Sequence, residues 1–186
     1  MLSPFGLTVH LPDEELDNRP QLGRSWARQR TVSNQLKVFS LDDPASPRFV
    51  TAVEAPAEPT RLMADDHCVY LTSWDNPVPG YGGGIWTLEI PVPARVAVMT
   101  GSATTVNRCT YAAAVLHGYV ATLCEGGNIF ELFDVRDPTQ PRSVGWFDFV
   151  AAESGTAGLA MSGNSAYATL ENARTLYLVD LTAALN

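Results

Sequence analysis

Glu131 to Phe149 reads ELFDVRDPTQPRSVGWFDF. Phe130, Leu132, Phe133 and Val135 form an apolar run with no helical spacing, and Asp137-Pro138 ends it. Pro141-Arg142 then restarts the chain as Ser143 to Phe149, rich in aromatic residues. Strand-forming side chains on either side of a proline-framed turn predict two paired β-strands. The same phrase stands earlier as LKVFSLDDPASPRFVTAVEAP, Leu36 to Pro56. A degraded copy is IWTLEIPVPARVAVMT, Ile85 to Thr100, and a last one, LYLVDLT, begins at Leu176. The chain is therefore built of repeats.

Aligning the copies gives an apolar column Leu36, Ile85, Phe130 and Leu176, with spacings of 49, 45 and 46 residues. Four positions on, Ser40, Glu89, Asp134 and Asp180 form a polar column, and Arg48, Arg95 and Arg142 follow the turn at intervals of 47. A second hairpin recurs between these phrases, as TRLMADDHCVYLT (Thr60–Thr72), TYAAAVLHGYVATL (Thr110–Leu123) and AGLAMSGNSAYATL (Ala157–Leu170). Its second strand carries Tyr70, Tyr119 or Tyr167. The unit is four strands in about 47 residues, the period and strand count of a β-propeller blade. No segment sustains a 3.6-residue period, which excludes a sheet interleaved with helices. Small residues at Ala112–Ala114 and Gly158–Ala160 suit the crowded innermost strand.

These readings predict an all-β propeller of four-stranded blades, with about three and a half blades in the chain. Residues 1–34 are expected to form one strand (Phe5–Leu11) and an irregular arm. Residues 35–58 then give an outer half blade, 59–106 and 107–155 two whole blades, and 156–186 an incomplete one. Closure is expected from another chain, a second copy or a complementary propeller subunit. The alternative is a small four-bladed ring in which Phe5–Leu11 pairs with the last strand.

The phrases LFDVRDPTQPRSVG, LKVFSLDDPASPRFV, LAMSGNSAYATL and LYLVDL resemble the LVIVP-type repeat of β-propeller proteins over about residues 35–181. That repeat has a strand ending in a D-x-x-D-P turn, a P-x-x-V-G strand, a small-residue strand, G-N and an aromatic strand. The second copy departs from it, with Pro91-Val92-Pro93 in place of the Asp-Pro turn. The resemblance implies a propeller of a kind usually exported or surface-located, and implies little about activity.

Composition narrows the classes. Of 186 residues, 46% are hydrophobic and 17% charged, which suits a β-rich globular protein rather than a disordered one. A net charge of −8 disfavours nucleic acid or an anionic membrane as partner. Arg19, Arg24, Arg28 and Arg30 are a local basic exception, read as an arm docking on an acidic surface. Cys68, Cys109 and Cys124 show no CxxC spacing and read as buried free thiols. No apolar run reaches the roughly 18 residues of a membrane span, and the N-terminal sequence lacks the features of a secretory leader. A cytoplasmic setting is the default, or an exported one if the chain is a fragment of something larger.

The loops between second and third strands should gather on one face around the axis. They carry Trp74, Asp75 and Tyr81, then Glu125 and Asn128, then Glu171. Arg61 and Arg108 come from the loops joining blades. Asp75, Glu125 and Glu171 are weak candidates for a Ca²⁺ site, since hard cations take carboxylate oxygens. No D-x-D-x-D-G loop accompanies them, and acidic residues solvating turns explain them as well. Trp74 and Tyr81, on a glycine- and proline-rich insertion, are candidates for recognition. No G-x-S-x-G or H-E-x-x-H is present, and His67 and His117 fall at equivalent turns, so no catalytic residue and no resident cofactor are assigned. The leading expectation is a non-catalytic interaction and assembly module. The alternatives are a hydrolase or lactonase with a metal in the acidic ring, and an adhesin for glycans or peptides.

Overall fold

The computed structural model describes residues 7–10, 35–40, 43, 45–55, 59–65, 68–73, 83–89, 98–106, 110, 112–124, 129–149, 156–170 and 175–185. These residues form four antiparallel sheets and one terminal helical turn, α1 (Thr182–Leu185). Sheet 1 contains β1 (Leu7–His10), β2 (Gln35–Ser40) and β3 (Arg48–Glu54). Sheet 2 contains β4 (Pro59–Ala64), β5 (Val69–Ser73), β6 (Gly84–Glu89) and β7 (Val98–Thr104). Sheet 3 contains β8 (Ala112–Leu116), β9 (Tyr119–Leu123), β10 (Ile129–Asp134) and β11 (Arg142–Asp148). Sheet 4 contains β12 (Thr156–Ser162), β13 (Ser165–Leu170) and β14 (Thr175–Asp180). Within each sheet the strands pair in chain order.

Local chemistry explains the turns. Asp137 accepts bonds from the Thr139 amide at 2.9 Å and the Thr139 hydroxyl at 2.6 Å, while its carbonyl accepts the Gln140 amide. Asp43 does the same for the Ala45 and Ser46 amides. An aspartate that mimics a backbone turn, followed by proline, is how the repeat reverses between its third and fourth strands. Between β8 and β9 the reversal is tighter: His117 and Gly118 both have positive φ, 49° and 76°. That is the twist a two-residue hairpin needs. A side chain at Gly118 would also meet the Arg136 stem at 2.6 Å.

The third and fourth strands share an irregularity that marks them as copies. One extra residue is inserted opposite Val38/Phe39, Thr87/Leu88 and Leu132/Phe133, in sheets 1, 2 and 3 respectively. Each site lies just before the polar column, at Ser40, Glu89 and Asp134. A bulge increases local twist, and its recurrence gives the sheets a common shape.

The sheets stack in chain order. Leu36 and Ala55 of the first meet Val69, Leu71, Trp86 and Leu88 of the second. Tyr70 and Ile85, on the other side of sheet 2, meet Val120, Phe133 and Val135. Tyr119, Ala121, Leu123, Phe130 and Leu132 then meet Ala166, Ala168 and Leu181. Strand β8, first in its sheet, lies against β4 and β12, the first strands of the flanking sheets. The small side chains of Ala112–Ala114 permit that approach.

The interface between sheets 2 and 3 is close. The Pro138 carbonyl accepts the Thr87 hydroxyl, and Thr100 Oγ1 donates to it at 3.4 Å. A Cβ on Gly101 would overlap that same carbonyl and lie 2.8 Å from Pro141 Cδ. Glu131, buried in sheet 3, accepts the Val106 amide at 2.8 Å and the Ser143 hydroxyl at 2.7 Å, again bridging the two sheets.

Three expectations are corrected. Leu7–His10 pairs with β2, Val9 opposite Val38, so it belongs to the first sheet and does not close on the last. Cys124 is disulfide-bonded, not a free thiol, while Cys68 is free and buried. Finally, Leu176 and Leu178 of β14 are exposed, whereas Leu36, Val38, Ile85, Phe130 and Leu132, at the same places in the earlier third strands, are buried.

Candidate interaction surface

Burial along the third strands separates the middle sheets from the ends. In β10 every residue is buried, and in β6 every residue but Glu89. Such strands are covered on both faces, which is why neither shows the clean in/out alternation of a one-sided sheet. In β2 burial alternates: Leu36, Val38 and Ser40 are buried, with Gln35, Lys37 and Phe39 on the other face. In β14, Tyr177 and Val179 are partly buried against sheet 3, and Leu176, Leu178 and Asp180 are exposed.

The exposed leucines occupy the repeat's most buried positions. Leu176 is 63% exposed, whereas its counterparts Leu36, Ile85 and Phe130 are 0%, 0% and 2% exposed. Leu178 is 66% exposed, whereas Leu132, also two residues before the polar column, is 3%. Tyr167 lies beside Leu178 on β13, and Ala160 of β12 lies beside Tyr167, so one row crosses the whole sheet. This is an apolar sheet face without a neighbour among the described residues. The signal for it in the sequence is the apolar character of β14, which repeats the buried third strands of the other sheets. On sheet 1, the opposite end of the stack carries Lys37, Phe39 and Phe49, the two rings edge to face at 5.8 Å.

The loop face is only partly described. Trp74, Asp75, Tyr81, Arg108, Glu125, Asn128 and Glu171 lie outside the described residues. Arg61 is described: it is exposed, and its guanidinium donates to the Thr60 carbonyl at 2.9 Å. Beneath the loops, Thr60 Oγ1 lies 3.1 Å from Thr72 Oγ1 and donates to the Thr110 carbonyl at 2.9 Å. Thr105 Oγ1 donates to the Gly83 carbonyl at 3.1 Å. The buried hydroxyls of Ser73 and Thr110 have no hydrogen-bond partner among the described residues. Among those residues, too, no three His, Cys, Asp or Glu side chains cluster as metal ligands.

At the other end of the strands, Asp134 anchors the turn. Arg136 donates to it through Nε at 2.9 Å and Nη2 at 2.7 Å, and Arg142 through Nη2 at 2.8 Å. The Arg136 guanidinium carbon also lies 5.1 Å from the centre of the Tyr119 ring. The Arg136 bonds, joined by the Arg142 bond, hold the Asp134 carboxyl well below the usual carboxylate range despite its burial. Asp65 makes a comparable anchor in sheet 2, accepting the Tyr70 hydroxyl at 2.8 Å and the Cys68 amide at 2.9 Å. Burial, then the charges of Asp65 and Glu89, pushes the Cys68 thiol up to about 11, so it is a poor nucleophile.

No protein-family model matches the chain, and no curated protein matches it. Solved structures do. A protein from Lactobacillus plantarum superimposes with a TM-score of 0.65 at 13% identity, over 96% of this chain and 50% of its own. Sqt1 of Saccharomyces cerevisiae gives 0.62 at 10% identity, over 81% of this chain and 42% of its own. The computationally designed Ika4 protein gives 0.57 at 14% identity, over 80% of this chain and 81% of its own. The chain thus spans half or less of the two natural proteins and about four-fifths of the designed one. At these identities the likeness is one of fold: an all-β chain of small antiparallel sheets, similar to propeller-type proteins.

Proposed function

We propose that this chain is a non-catalytic interaction module, a segment of a propeller of the LVIVP-repeat kind whose last sheet is covered by another protein chain. The observation that carries this reading is the exposure of Leu176 and Leu178, at 63% and 66%, where the repeat buries its side chains in every preceding sheet. Fully burying one leucine contributes about 1.5–3 kcal/mol, so a face with two leucines and a tyrosine is a strong drive to association. The four sheets would make up part of a ring, in keeping with the twofold greater length of the natural proteins they resemble. The rigid stack presents a surface; it brings no nucleophile and base together among the described residues.

Sedimentation velocity on the wild type and on Leu178→Glu tests the reading. The wild type should sediment as a particle larger than a 20.1 kDa chain. The variant, placing a charge on the face, should sediment as a monomer with an unchanged far-ultraviolet spectrum. Identical behaviour of the two would contradict the proposal.

A further inference from the structure

We infer that the occupant of the open face is a second copy of this chain, joined head to tail, so that the outer face of sheet 4 in each copy covers the outer face of sheet 1 in the other. This rests on the interaction-module reading and names its partner. Three observations lead to it. The first is continuity. Inside the chain, the face bearing Leu36, Ile85 or Phe130 is always covered by the opposite face of the next sheet. Among the described residues, sheet 1 is the sheet whose own copy of that opposite face has no preceding sheet over it. Its Phe39 stands where Leu88 and Phe133 stand, at the bulge before the polar column.

The second observation is the complementary state of the two ends. Leu176 and Leu178 are open at one, and Lys37 and Phe49 are exposed at the other, with Phe39 only partly covered. A chain carrying both halves of one repeating interface needs no foreign surface to complete it. The third is size. Four sheets from each of two copies make eight, within the four to eight blades at which propellers close. The natural proteins of like fold are about twice this chain's length, 50% and 42% of them being covered. A head-to-tail contact ends in a closed ring when its rotation returns to the start, and two copies then share two identical interfaces.

Internal equivalence supplies the register. Leu132 of sheet 3 shares a core with Val179 of sheet 4. Leu178 repeats Leu132 and Phe39 repeats Val179, so Leu178 of one copy should approach Phe39 of the other. The experiment is oxidative cross-linking of three variants: Leu178→Cys, Phe39→Cys, and the two combined. Buried Cys68 is common to all. The double variant should form covalent dimers about tenfold more readily than either single variant, because paired thiols are held at high effective concentration. A cross-linked dimer from Leu178→Cys alone would mean two sheet 4 faces meeting, and would overturn the head-to-tail arrangement. So would an intrachain bond in a monomeric double variant, which would mean a four-sheet ring. Native mass spectrometry of the wild type distinguishes the two proposals. A stable complex with a different chain overturns the second-copy inference and leaves the module reading standing. A bare monomer overturns both.

Discussion

Leu178 stands in sheet 4 where Leu132 stands in sheet 3, and the two are 66% and 3% exposed. The difference lies in the neighbour: Leu132 has sheet 4 over it, and Leu178 has none among the described residues. Leu132→Ala should therefore lower stability by about 2–5 kcal/mol at any protein concentration. Leu178→Ala should act only on the assembled particle, with an effect that shrinks on dilution. Urea unfolding at two protein concentrations reads both.

Gly101 abuts the Pro138 carbonyl, so contact between sheets 2 and 3 leaves no space for a methyl group. Gly101→Ala should cost about 1–3 kcal/mol, because backbone and a proline ring cannot give way as a flexible side chain can. Gly145 on β11 has nothing within 4 Å of its would-be Cβ, and Gly145→Ala should stay within about 0.5 kcal/mol of the wild type. Thermal denaturation of the pair provides the comparison.

The repeat was legible because its phrases carry their own physics. Asp-Pro turns, apolar strands and small inner residues stand at near-constant intervals, and the third strands fall within one residue of their expected positions. The partner of the N-terminal strand was not legible. Leu7–His10 is four residues long, and its pairing with β2 is a long-range choice that no local pattern records. The β14 leucines read as buried since sequence pattern reports what a side chain is suited to, and suitability is met equally by the same chain or another. The loop residues Trp74, Asp75, Tyr81, Arg108, Glu125, Asn128 and Glu171 stay candidates on sequence grounds.

Asp134 gives a pH dependence of defined sign. Its carboxyl titrates below the ordinary value of about 3.9 because the folded state donates hydrogen bonds to the charged form. Its contribution is thus fully present above that ordinary value and is lost as pH falls toward the depressed folded one. Asp134→Asn should lower stability near neutrality by about 1.5–3 kcal/mol, the worth of hydrogen bonds to a charged group. The gap from wild type should narrow as pH is lowered below about 3.9. A constant gap across an acid titration would remove Asp134 as its source.

Cysteine accounting gives a prediction independent of assembly. Unreduced protein, unfolded in denaturant with a maleimide present, should gain a single label at Cys68, since Cys124 is disulfide-bonded. The folded protein should label slowly, as that thiol is buried and its pKa is pushed up to about 11. Mass spectrometry counts the adducts, and three labels without reductant would show the disulfide to be absent.

The mass of the native particle tests the central claim, that sheet 4 presents an interface. Native mass spectrometry or light scattering on purified wild-type chain should give about twice 20.1 kDa, as two four-sheet chains closing one ring require. A stable, well-dispersed particle of 20.1 kDa, with Leu176 and Leu178 open to water, would contradict it.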